Sequence, residues 1–289
     1  MSTGAGDSRH RSDSDARRGV VQWFYSSPMT FALSALLLVA VVGATVLVVL
    51  SSSEHDSDDT LIPMRPSDSV PISLPPTSTE GGFDAPLADM WGRKVFVPRD
   101  ANGQLLNQIA VPVRAEMLPP ATPQGLMWQS VYGFALPFST SDGPTRWDGD
   151  VATGFSHRPE GSALAGWQLI FRQLGPKVVQ QQIARRYLAL TPAEQTQFDD
   201  QLSRRPDRPL TEVGITVSAP DAFRLTTYDS EFAVVEYAVR DRSAVPNTQW
   251  AITRAELVWD NVIHSWKLRG FSPQMLAERT ASIEGWTQW

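Results

Sequence analysis

Residues 29–50 form a run of 22 amino acids without one charged side chain, rich in Leu, Val and Ala. As a helix such a run rises roughly 33 Å, at about 1.5 Å per residue, enough to cross the hydrocarbon core of a bilayer. A buried helix of a water-soluble protein normally keeps a polar stripe, whereas this run offers only Thr30, Ser34 and Thr45. The sequence therefore predicts a transmembrane helix over residues 29–50. Arg9, Arg11, Arg17 and Arg18 precede the run and the next basic residue after it is Arg65, which predicts a cytoplasmic tail over residues 1–28. Trp23, Phe24 and Tyr25 stand where an aromatic belt would sit at the headgroups. A cleaved signal peptide fits less well, because the apolar run is too long and no A-x-A site follows. Arg17-Arg18 lacks the context of a twin-arginine signal.

After the span, residues 51–80 hold 11 Ser or Thr and five Pro, with Glu54, Asp56, Asp58 and Asp59 clustered near the start. That composition cannot bury a core, so residues 51–82 read as a disordered linker. From Phe83 apolar residues return in short alternating runs. Residues 94–98 and 105–113, around Asn102-Gly103, predict a small β-type arm over residues 83–125.

Residues 126–271 read as one α+β domain. A strand is expected over residues 128–139, then a turn at Ser141-Asp142-Gly143-Pro144. Pro159 suits the first helical position and Gly175-Pro176 ends that helix. A second helix is expected over residues 177–190. Thr191-Pro192-Ala193-Glu194 has the form of a capping box opening a third, which ends near Arg205. Beyond Arg208-Pro209 the period falls to two, and strands are expected at 212–219, at 223–228 running on into 231–240, at 249–259 and at 263–271. Asp260-Asn261 marks a hairpin between the last two. Residues 272–289 read as an amphipathic C-terminal helix or tail with Met275, Leu276, Ile283 and Trp286. Three helices followed by a curved four-stranded antiparallel sheet describe a cone wrapped around its first helix.

Chemistry is scarce in this sequence. There is no cysteine, hence no disulfide, thiolate metal site or Cys nucleophile, and four histidines leave little for a His-based metal centre. A net charge of -6 argues against direct nucleic-acid binding. No nucleophile elbow, phosphate-binding loop, zinc helix or dinucleotide turn occurs. Acid or base candidates for a cone pocket are Tyr228, Glu236, Tyr237, Glu256, Asp260 and His264. His264, alternating with Val262 and Trp266, is more simply a partly buried sheet residue, and Arg254 with Glu256 a cross-strand ion pair. The densest set of special residues is the candidate binding loop of Asp142, Gly143, Gly154, His157, Arg158 and Glu160, which feeds a helix N-terminus. Backbone N–H groups there would favour an anion. The competing reading is a capped helix entry, with Gly154 and Gly161 allowing close packing and Glu160 complementing the dipole.

The segment Ser141-Asp142-Gly143-Pro144, Asp148-Gly149, Gly154-Phe155-Ser156-His157 and Pro159-Glu160-Gly161, with Ala163 and Leu164, resembles an uncharacterised actinobacterial family of membrane-anchored proteins over roughly residues 91–271. Its members are often associated with conjugative or integrative elements, and Arg158 stands where a Thr-like N-cap would be expected. The layout of tail, single span and cone is similar to the bitopic scaffold subunits of type IV secretion and conjugation machines, whose domain is nuclear-transport-factor-like. The resemblance implies a non-enzymatic, extracytoplasmic scaffold or interaction protein, anchored in the lipid bilayer by one helix. Its partners would be other proteins or further copies of itself, and it would need no cofactor. The alternative expectation is a membrane-tethered small-ligand-binding module or enzyme that uses the cone pocket.

Overall fold

A computed structural model of the chain describes residues 82–110, 118–207, 218–241, 248–270 and 278–289. The basic tail, the apolar run at 29–50 and the linker up to residue 81 lie outside those residues. So do most of the strand expected at 212–219, and Met275 and Leu276. Among the described residues no helix is long and apolar enough to cross a membrane.

The described residues form a mixed α+β fold, mostly β, with three helices and several sheets. It begins with a hairpin of β1 (Phe83–Ala88) and β2 (Lys94–Pro98). Asp89 Oδ1 shapes the turn by accepting from the backbone N–H groups of Trp91 and Arg93, both at 2.9 Å. β2 then runs parallel beside β3 (Met127–Val131), with Phe96 opposite Gln129, and β3 pairs antiparallel with β4 (Phe134–Phe138). One four-stranded sheet, in the order β1-β2-β3-β4, thus spans the boundary expected near residue 125.

Two expectations in this region are corrected. Residues 128–139 are a tight hairpin rather than one strand, because Tyr132 (φ 54°) and Gly133 (φ 82°) both turn left-handed, the pattern of a two-residue type I′ connection. The described part of the strand expected at 105–113 has no strand geometry. Its start is instead held by a side chain: Gln129 Oε1 accepts from the Gln104 N–H at 2.7 Å and Gln129 Nε2 donates to the Gln104 carbonyl at 2.8 Å.

A short hairpin of β5 (Arg146–Asp148) and β6 (Val151–Thr153) leads into α1 (Pro159–Arg172), α2 (Lys177–Arg186) and α3 (Pro192–Ser203). Pro159 does occupy the first turn of α1. The Thr191–Glu194 capping box forms at α3, with the Thr191 N–H donating to Glu194 Oε2 at 2.7 Å and the Glu194 N–H donating to Thr191 Oγ1 at 3.3 Å. α2 stops short of residue 190 because the chain docks on the second sheet, where Leu268 N–H donates to the Tyr187 carbonyl and Ala189 N–H to the Leu268 carbonyl.

That second sheet has the order β10-β9-β8-β7-β12, built from β7 (Ala222–Tyr228), β8 (Phe232–Arg240), β9 (Trp250–Asp260), β10 (Ser265–Gly270) and β12 (Thr287–Gln288). The two-residue β11 (Arg279–Thr280) also pairs with β9. Residues 223–240 are therefore a hairpin and not one continuous strand. Asp229 Oδ1 makes the turn by accepting from the N–H groups of Glu231 and Phe232, each at 2.8 Å. The described part of the C-terminal tail is strand and turn rather than helix.

α1 lies between the two sheets. Nearly all of its residues are buried, which explains why its sequence has no continuous polar face. Toward β4, Trp167 Nε1 donates to the Ala135 carbonyl and Gln168 Nε2 to the Pro137 carbonyl, both at 2.9 Å. Toward β8, the Tyr237 hydroxyl donates to the Ala163 carbonyl at 2.8 Å.

Candidate functional site

The six residues of the candidate loop cluster at the entry to α1. Asp142 follows β4 and is 3% exposed. Its Oδ2 accepts from Ser141 Oγ at 2.5 Å, and its Oδ1 accepts from Ser156 Oγ at 2.7 Å and from Arg158 Nη2. The Ser156 N–H donates to the Asp142 carbonyl at 3.1 Å, so the carboxylate and backbone of one residue hold the segment that leads into α1. Arg158 is the N-cap residue of α1 but makes no side-chain capping bond; its guanidinium neutralises Asp142 instead. That pairing explains why a Thr-like cap is dispensable at this position.

The glycines are steric requirements. Gly143 has φ 93°, and a Cβ there would stand 2.7 Å from the Gly154 carbonyl oxygen. Gly154 has φ 80°, and a Cβ would overlap Thr145 Oγ1. Both combine a left-handed backbone with a close neighbour. Glu160 is buried in the first turn of α1, on the favourable end of its dipole. His157 stacks on Trp259, ring centroids 3.8 Å apart and 8° from parallel, and its Nε2 meets the Ser230 carbonyl. A carbonyl only accepts, so Nε2 carries the hydrogen. Trp266 Nε1 closes the same corner by donating to the Ser156 carbonyl at 3.0 Å. The loop thus meets the tips of the second sheet, and Asp142, Arg158 Nη2 and His157 Nε2 are each engaged with partners inside the protein.

The acid and base candidates do not converge. Tyr237 faces α1, while its neighbour Glu236 points from the opposite face and pairs with Arg224, Nε and Nη2 at 2.8 and 2.7 Å. Arg254 and Glu256 are an ion pair along one strand at 3.5 Å rather than across two, since Arg254 lies opposite Glu236 and Glu256 opposite Val234. His264 is an exposed turn residue with φ 48°, not a partly buried sheet residue. Asp260 braces that turn. Burial raises its pKa, but bonds from the Val262 and Ile263 N–H groups and from Lys267 outweigh this and hold it below the usual carboxylate range. Tyr228 lies beside Trp266, ring centroids 6.4 Å apart. Among the described residues no group of three or more His, Asp or Glu is placed to hold a metal ion.

Two polar hubs escaped the sequence reading. Arg172, fully buried on α1, donates from Nε to Gln168 Oε1 at 2.6 Å, from Nη2 to the Asn102 carbonyl at 2.7 Å and from Nη1 to the Asp150 carbonyl at 3.4 Å. Burial lowers its pKa to about 10. The adjacent Tyr132 hydroxyl bonds Asn102 Oδ1, and burial pushes this phenol up to about 12. The spacing of Gln168 and Arg172, four apart in a helix whose other residues after Ser162 are apolar or glycine, is the available signal. Asp221 is the second hub. It accepts from Arg93 at 2.5 Å, Arg240 at 2.9 Å and Trp250 Nε1 at 2.8 Å, joining the β1–β2 turn to the second sheet. Nothing local marks Asp221, because its three partners come from distant segments.

No curated protein and no solved structure matches the chain. The model of one protein family, described as a domain of unknown function (DUF8175), matches residues 97–288, from the end of β2 through the three described helices to β12, leaving out β1. The chain belongs to this DUF8175 family.

Proposed function

We propose that this chain is a membrane-anchored, extracytoplasmic scaffold: a non-enzymatic interaction protein held by one N-terminal helix at residues 29–50, its folded domain tethered by the Ser/Thr/Pro-rich linker. In this reading α1 and the sheet around it form a nuclear-transport-factor-like cone, and the protein serves as a component of a DNA-conjugation or type IV secretion-like apparatus. The assignment to such an apparatus rests on the resemblance of tail, span and domain to bitopic scaffold subunits.

The observation that supports a scaffold over a ligand-binding cone is the filling of the space between α1 and the second sheet. Trp167 and Tyr237 are both fully buried there, with ring centroids 5.1 Å apart. Gly166 lies so close to the Tyr237 hydroxyl that a Cβ would overlap it, with Ala255 and Leu257 also 3.2 Å from that point. A small-ligand site needs a concave space with a few convergent polar groups. Here the helix takes that space, and the acid and base candidates point to different faces.

The test uses the absence of native cysteine. Single cysteines at exposed positions on three separate parts of the domain, Met90, Thr196 and Val262, are cross-linked in intact cells. The scaffold reading expects position-dependent adducts with other membrane-associated proteins or with a second copy. Tethering raises the effective concentration, so weak contacts suffice. Background cross-linking at all three positions, together with tight binding of a small apolar ligand by the purified protein, would replace it with the ligand-binding reading.

A further inference from the structure

We draw no further inference here: the strongest candidate, the aromatic cleft between Trp128 on β3 and Phe223 on β7, is filled by the chain's own Trp289, and nothing in the structure shows what else would cover it.

Discussion

The hydroxyl of Tyr237 on β8 donates to the carbonyl of Ala163 on α1 at 2.8 Å, fixing the helix against the sheet at the point where Gly166 permits the closest approach. Tyr237→Phe should cost about 1 kcal/mol, the usual net value of one buried hydrogen bond. Gly166→Ala should cost about 1–3 kcal/mol through overpacking. Removing the hydroxyl makes room for the added methyl, so the double variant should be less destabilised than the sum of the two. Urea denaturation of the four proteins measures this coupling, and strict additivity would show that the two groups do not meet.

Stability should fall between about pH 10 and 12. Tyr132 and Tyr187 are each pushed up to about 12, chiefly by burial, with the bond from Tyr187 to Asp148 adding to the effect. Over this window the unfolded chain loses both phenolic protons while the folded protein keeps them, so alkali favours unfolding. Arg172 acts in the opposite sense. With its pKa lowered to about 10, the folded state releases that proton first and gains stability as the pH rises. Tyr237, raised well above the ordinary phenol value by burial, acts with Tyr132 and Tyr187, while burial lowers Arg205 as it does Arg172; the three phenols outweigh the two guanidinium groups, and the wild-type unfolding midpoint should decline. Replacing Tyr132 and Tyr187 by phenylalanine should lessen the decline, leaving the part that Tyr237 contributes.

The candidate loop should behave as a structural clamp. Asp142→Asn removes the charge that faces Arg158 and weakens two serine bonds, and about 2 kcal/mol of destabilisation is expected, less than for a fully buried pair because Arg158 keeps some solvent contact. Gly143→Ala should cost at least as much, because the obstacle to its Cβ is the backbone carbonyl of Gly154. Thermal unfolding reads both. Unchanged stability in either variant, combined with lost cross-linking in cells, would instead make the loop a partner surface.

What was legible in the sequence were features set by local rules: Pro159 at the start of α1, the Thr191–Glu194 capping box and the Asp260 hairpin. The Tyr132–Gly133 turn was missed because it lacks the usual Asn-Gly or Asp-Gly pair, and the Asp229 turn because it contains neither Gly nor Pro. The loop residues stand out in the sequence, but the neutralisation of Asp142 by Arg158 and the stacking of His157 on Trp259 do not. Those contacts, like the carbonyls that bury Arg172, come from segments far apart in the chain. The two-residue strands β11 and β12 have no pattern of their own; their pairing follows from the edges offered by β9 and β7.

Trp289 should contribute to stability out of proportion to its position. Its ring lies 4.3 Å from Phe223 and 5.5 Å from Trp128, bridging the two sheets, while Thr287 Oγ1 donates to the Pro120 carbonyl at 2.7 Å. Trp289→Ala should cost about 3 kcal/mol, at the low end for a large aromatic because the ring is only partly buried. Chemical denaturation would show it as a lower midpoint. An unchanged midpoint would mean that the two sheets hold together without this wedge.

The proposed anchoring and extracytoplasmic placement of the domain are tested most directly by thiol labelling, since a reporter fused after Trp289 would disturb the wedge between the sheets. Val262, 89% exposed at the tip of the β9–β10 hairpin, offers a site for the chain's sole cysteine. Intact cells carrying Val262→Cys are treated with a membrane-impermeant maleimide, and the protein is recovered from washed membranes. The account predicts full labelling before lysis, with the protein retained in the membrane fraction. Labelling only after lysis, or recovery of the protein in the soluble fraction, would contradict an anchored extracytoplasmic scaffold.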